Sequence, residues 1–360
     1  MDKNFLQWAK EHQSKALIPN ALLEPRHSHE GIGAAVVIRG CLYFEKAYDA
    51  TVREAIAQCF DEYCAVAGDR LTFLWHNGKA AQAFSKAKPM RELASKLGEN
   101  DRFDFDYMSG ERASDAGFWE FHVFGMRGWE EKMGTRGVDV LYFSLPVVAV
   151  QEDPDTFARL FFHCAQRLNA LRGHAGFAVN LSPTEQTENE STEYWISQIM
   201  PGLDVGYPAA NAERDLRDKI KTVDWLTTIN KDMLDKVGGV RALRSELPPD
   251  WFSIGDYGAG VLIRAGVLPE SGLSGSEDEP PVPPAAYLLL DKALCEIRVH
   301  RFDSLQRGTV NGDAPVYNTK ESTATWLRRF EVDDEKLLAA KAAVLDTSRL
   351  SAANALPNPL

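Results

Sequence analysis

The chain has 360 residues, 44 % hydrophobic and 26 % charged, with 40 Lys and Arg against 52 Asp and Glu for a formal net charge of −12. That excludes a disordered chain, which carries far fewer aliphatic and aromatic residues, and a free-standing nucleic-acid binder, which carries a basic balance or stripe. No stretch approaches the ~18 apolar residues of a membrane span, so neither nucleic acid nor a membrane is expected as a partner.

The N-terminal stretch MDKNFLQWAKEHQSKALIPN is polar and amphipathic and lacks the apolar core of a signal peptide. Residues 33–45, GAAVVIRGCLYFE, read as two β-rich pieces joined at Gly40. From Tyr48 to Cys64, the residues Val52, Ile56, Cys59, Phe60 and Tyr63 recur at helical spacing, with Gly68 beyond as a stop. LTFLW (71–75) is a short strand, and Pro89 opens a short helix closed by Gly98. FWEFHVFG (118–125) and VDVLYFS (138–144) are expected to pair antiparallel.

Asp153-Pro154 is a helix start, an N-cap acid before a first-turn proline; the apolar face Phe157, Leu160, Phe161, Cys164, Leu168 and Leu171 follows, ended by Gly173. GFAVNL (176–181) is a strand, and Ser182-Pro183-Thr184-Glu185 reads as a capping box for a helix running to about Met200. The stripe Leu216, Ile220, Val223, Leu226, Ile229, Met233 and Val237 predicts a second long helix over 212–237, stopped by Gly238-Gly239. GVLIRAG (260–266), AAYLLL (285–290) and CEIRVHR (295–301) read as strands, with an exposed Pro-, Ser- and acid-rich loop over 268–284. A last helix follows Asp333-Asp334, and ANALPNPL is expected to be a frayed tail.

Strands and helices intermingle without βαβ alternation, which predicts an α+β fold: mainly antiparallel sheet packed by amphipathic helices. Strand–strand–helix pieces repeat loosely between 31–182 and 183–310, so two similar halves remain open. The expected organisation is an N-terminal extension (1–30), the α+β domain (31–310) and a C-terminal helix and tail (311–360).

No motif carries chemistry. His27 and His29 sit in a loop without further ligands at a zinc spacing. His174, after the expected helix stop, reads as a cation near the last carbonyls, and His163 lies beside the apolar face of its helix. LSGSE (273–277) lacks the strand–turn–helix setting of a nucleophile elbow. Gly255–Gly260 precedes a strand, so it reads as a turn needing positive φ rather than a phosphate cradle. The five cysteines, Cys41, Cys59, Cys64, Cys164 and Cys295, are scattered without CxxC spacing, which fits a reducing compartment such as the cytoplasm. No acid pair shows a buried setting, and no cofactor, metal or catalytic residue is expected.

Two acidic clusters are candidates for partner binding. Residues 99–107 interleave Asp101, Asp104 and Asp106 with Phe103, Phe105 and Tyr107 in what reads as an acidic loop, where aromatics would anchor and acids would steer a basic partner. Glu185, Glu188, Glu190 and Glu193 load the first turns of a helix, where acids also simply favour the dipole.

Pro201-Gly202-Leu203-Asp204-Val205 with Pro208, Lys221-Thr222-Val223-Asp224-Trp225-Leu226-Thr227, Gly238-Gly239, Leu243 and the Gly258–Gly266 strand occur in an order and spacing that resembles the type VI secretion immunity family of bacteria. The resemblance covers about residues 30–310. It implies a cytosolic binder that neutralises a cognate toxin effector by stoichiometric inhibition, with no catalytic residues to carry over. The alternatives are an enzyme reversing a toxin modification and an adaptor that loads an effector. Turnover abolished by one substitution would mark the first, and blocked export on deletion the second.

Overall fold

The computed structural model describes residues 16–19, 31–134, 137–272, 280–307, 317 and 319–360. Eleven strands form one open sheet: β1 Leu17–Pro19, β2 Ile32–Phe44, β3 Phe73–His76, β4 Gln82–Ala83, β5 Phe103–Met108, β6 Glu120–Gly125, β7 Asp139–Pro146, β8 Arg172–Leu181, β9 Leu226–Asn230, β10 Phe252–Asp256 and β11 Gly260–Ala265. Their order is β10-β11-β9-β8-β2-β7-β6-β5-β3-β4, every pairing is antiparallel, and β1 pairs with the start of β2. The expected α+β class with mainly antiparallel sheet is what the chain forms. Five longer helices are α1 Ala50–Ala67, α2 Pro154–Leu168, α3 Gln186–Ile199, α4 Ala285–Ala293 and α5 Asp334–Leu345.

The central strand β2 sets the two faces. Val36, Ile38, Leu42 and Phe44 join the core with Ile56 and Phe60 of α1 and Phe157 and Phe161 of α2. Arg39, Cys41 and Tyr43 lie on the opposite pleat. Gly40 is no joint between two pieces, because β2 runs unbroken for 13 residues. A Cβ there would lie 2.7 Å from a ring carbon of Phe161, so glycine lets α2 approach the sheet. The β6–β7 pair forms as expected.

The helix starts read at Asp153 and Asp333 match the structure, and the helix read from its period before Gly68 is capped by Asp49. Asp49 caps α1 through Thr51 N (2.7 Å), Asp153 caps α2 through Thr156 N (3.0 Å), and Asp333 caps α5 through Lys336 N (2.8 Å). The end of α2 differs: it stops at Leu168 with Asn169 left-handed at φ 48°, while Gly173 belongs to β8. The Ser182 capping box does not form. The Ser182 hydroxyl donates to Ser114 O at 2.7 Å, and α3 starts at Gln186 without a side-chain cap.

The largest correction is residues 212–237. The helical stripe there is coincidental. A four-residue turn of helix at Asn211–Arg214 gives way to β9, whose Thr227-Thr228-Ile229 run fills the slot between β8 and β11, then to Lys231–Lys236, capped by Asn230. AAYLLL is the helix α4, not a strand; Pro284 stands at its N-cap, and its apolar run is buried on most sides, which hides helical periodicity. CEIRVHR makes a 3₁₀ turn and a single bridge, Arg298 to Ile220. The Gly258 turn between β10 and β11 has φ +96°, as its glycines imply. The tail is docked, not frayed: Leu356 is buried, Pro359 bridges Gly255, and Leu360 N donates to Ile254 O at 2.9 Å. His27, His29 and residues 273–279 lie outside the described residues.

Candidate functional site

On the pleat facing away from α1 and α2, the central strands carry polar side chains in register. Asp106 of β5 stands opposite His122 of β6, His122 opposite Tyr142 of β7, and Ser144 of β7 opposite both Glu120 of β6 and Arg39 of β2. Asn180 of β8 extends this strip. With Glu190 and Glu193 of α3 and the Gly206-Tyr207 turn as walls, the strip floors a cleft of about 80 Å³.

Its hydrogen bonds are uneven. His122 bonds Asp104 Oδ1 through Nε2 (3.1 Å) and the Tyr142 hydroxyl through Nδ1 (2.7 Å). Arg39 donates to Val179 O (2.9 Å) and to Asp204 (3.2 Å). Glu193 accepts from Gly206 N (3.1 Å) and from Gln306 (3.0 Å), and Glu190 accepts from Arg307 N (2.9 Å). Asn180 donates to Gly117 O (2.9 Å) and Ser144 Oγ (2.7 Å). Its own Oδ1, the Asp106 Oδ1 and the Arg39 Nε find no partner among the described residues.

The electrostatics follow from that crowding. Burial, with the neighbouring Asp106 charge, pushes the Glu120 carboxyl up to about 8. Burial raises Asp106 to about 6 and Glu193 to about 7. Burial opposes a charge on His122, but Asp106, Asp104 and Glu120 outweigh it and raise the imidazole to about 9. The expectation that no acid has a buried setting is therefore corrected.

The structure separates the ten predicted binding residues. Phe103, Phe105 and Tyr107 are fully buried in the core on the opposite pleat of β5, so the acidic loop is a strand and these rings are not surface anchors. The same alternation turns Asp104 and Asp106 to the polar face. Asp106, Glu190 and Glu193, far apart in sequence, line one cleft. Asp101 stays exposed and accepts from Gly98 N at 2.6 Å, while the half-buried Glu185, just before α3, and Glu188, in its first turn, stand outside the cleft lining. Glu120, His122, Tyr142, Arg39 and Asn180 were missed. The two-residue period of W-E-F-H-V-F and L-Y-F-S held the signal, since alternate residues of a strand share a face.

Deeper on the same face lies a sealed network. Lys221 Nζ sits 2.6 Å from Asp204 Oδ1 and 2.8 Å from Glu213 Oε1, and Tyr43 donates to Glu213. Arg172 stacks over the Tyr43 ring at 3.6 Å. His174 bonds Asp204 at 3.1 Å, so it is a core histidine of β8, not a helix-end cation. Cys41, His174 and Asp204 bring their ligand atoms within 4.8 Å, the grouping of a nucleophile, base and orienter. All three are at most 2 % exposed, and burial pushes the Cys41 thiol up and the His174 imidazole down. A substrate cannot reach that thiol without opening the sheet face, so this grouping serves packing.

A family model described as type VI immunity for VRR-NUC matches residues 55–330. The chain belongs to this family. The match spans every cleft residue except Arg39. The solved structure of the Pseudomonas aeruginosa T6SS protein PA0821 is similar to this immunity-family chain at 36 % identity and a TM-score of 0.90, covering 100 % of both chains. No curated protein sequence matches the chain. Among the described residues no helix is long and apolar enough to cross a membrane.

Proposed function

We propose that this chain is a cytoplasmic immunity protein that binds a cognate VRR-NUC effector of a type VI secretion system and neutralises it by stoichiometric association. The family membership carries the reading. The acidic, concave polar face supports it, because a surface of one charge sign attracts a partner of the other and fixes its register. Neutralisation in this reading needs no turnover: the bound chain covers a working surface of the effector.

Mixing the purified chain with its paired VRR-NUC effector and measuring mass by light scattering tests this directly. The expected result is a complex of fixed stoichiometry, and effector activity that falls linearly to zero as the chain is titrated in. Absence of a complex, or loss of activity at far below one equivalent, would overturn it, the latter pointing to catalysis.

A further inference from the structure

The polar cleft has an excess of acceptors. Its floor and walls present Asp106, Glu120, Glu190, Glu193 and the Asn180 amide oxygen, against Arg39 as the cation of the lining, with His122 beside Asp106 just outside it. Arg39 donates to Val179 O and Asp204 and leaves its Nε unpartnered among the described residues, while His122 is engaged by Asp104 and the Tyr142 hydroxyl. Beside that Nε, the unpartnered side-chain atoms of the lining among the described residues are two oxygens, on Asp106 and on Asn180, and Asn180 is only 2 % exposed. A buried acceptor left unpaired is costly, so such sites are normally completed by a donor. Tyr142 and Tyr207, 6.2 Å apart with nearly perpendicular rings, add π faces at one side.

We propose that this cleft is a receptor for one arginine side chain projected by the protein partner. An arginine is donor-only, planar and permanently charged, offers five N–H groups to several acceptors at once, and stacks on tyrosine rings. A divalent cation fits less well. The three clustered ligands Asp106, Glu120 and His122 include an imidazole whose nitrogens are both engaged, and the unpaired Asn180 oxygen lies outside that cluster. The raised carboxyls of Asp106, Glu120 and Glu193 agree with a site short of positive charge. A single desolvated arginine seated in a pocket is a common centre of binding energy in protein interfaces. The proposal rests on the immunity reading for the identity of the partner but not for the chemistry of the cleft.

The test has two arms. In the first, ethylguanidinium is titrated into the full chain with labelled histidine, while the ring resonances of His122 are followed, with sodium chloride and magnesium chloride at matched ionic strength as controls. Saturable shifts with ethylguanidinium alone, abolished in Asp106→Asn/Glu120→Gln, are expected. No saturable shift, or the same shift with magnesium, overturns the proposal. In the second arm the paired effector is bound to wild type and to the double variant. The variant should bind at least about tenfold more weakly, with a melting temperature no lower than wild type, because it removes crowded buried carboxylates. Equal affinity overturns the arginine receptor and leaves the immunity reading standing. If the effector does not bind wild type at all, the immunity reading fails and the ethylguanidinium arm alone decides this proposal.

Discussion

Lys221 is fully buried, and its ammonium meets Asp204, Glu213 and the carbonyl of Val205 (3.0 Å). Burial works against its charge, yet the two carboxylates win and hold its pKa above the ordinary lysine value. Removing one member of such a group leaves the others charged and unpaired, a loss of about 3–5 kcal/mol. Lys221→Met keeps the stem and removes the charge, so it should lower the urea midpoint by that energy divided by the slope, with the slope unchanged. A loss below about 1 kcal/mol, the worth of an exposed pair, would show that water reaches the network. Single residues were legible in the sequence only where their type and spacing already spoke of burial. The rings of Phe103, Phe105 and Tyr107 and the acids between them stood in a two-residue period. Taken as a strand, that period separates a core face from a polar one; taken as a loop, it merges them. Lys221 gave no such signal, because its partners Asp204 and Glu213 are brought to it by turns rather than by a repeat.

At the scale of elements, the strip from Leu350 to Leu360 covers the outer edge of the sheet. Leu350 N donates to Asp250 O (2.7 Å), Asp256 N to Asn358 O (3.0 Å) and Leu360 N to Ile254 O (2.9 Å). Arg244 donates back to Leu360 O at 2.6 Å. An uncovered edge strand offers its free backbone groups to other chains. Deleting residues 351–360 should therefore lower the melting temperature, with about 1.5–3 kcal/mol lost from Leu356 alone, and produce dimers or larger species on size-exclusion chromatography that grow with concentration. A monomer of unchanged stability would assign that edge another cover. Elements with a stop or start residue were legible: Asp153 and Asp333 cap the helices expected of them, and the helix expected before Gly68 ends there. Those inferred from an apolar period alone were not. The stripe over 212–237 and the run AAYLLL exchanged identities, the first supplying a strand and the second a helix. In a chain buried on several sides, neighbours choose the conformation, and a short apolar run fits either.

For the whole molecule, the net charge of −12 acts at a distance. Association with the proposed VRR-NUC effector should slow as sodium chloride is raised, by about tenfold or more from low to several-fold physiological salt, while dissociation changes much less. Stopped-flow rates at several salt concentrations would show it, and a salt-independent on-rate would place the charge away from the encounter surface. The antiparallel α+β class was legible because strand and helix signals intermingled without a βαβ rhythm. The order of strands was not, since it depends on which distant segments meet. The sheet passes without interruption from segment 31–182 into segment 183–310, through the β8–β9 pair.

The pairing of β2 with β8 also sets a clock. Ala34 meets Leu181 and Tyr43 meets Arg172, so the central strand waits for chain made more than a hundred residues later. At about 5–20 residues per second, the ribosome leaves β2 without that neighbour for roughly 7 to 30 seconds. The outer edge waits in its turn, until the strip ending at Leu360 has emerged. The nascent chain thus carries this buried strand without β7 and β8, its two long neighbours, for much of its own synthesis, which is the interval in which a chaperone would find it.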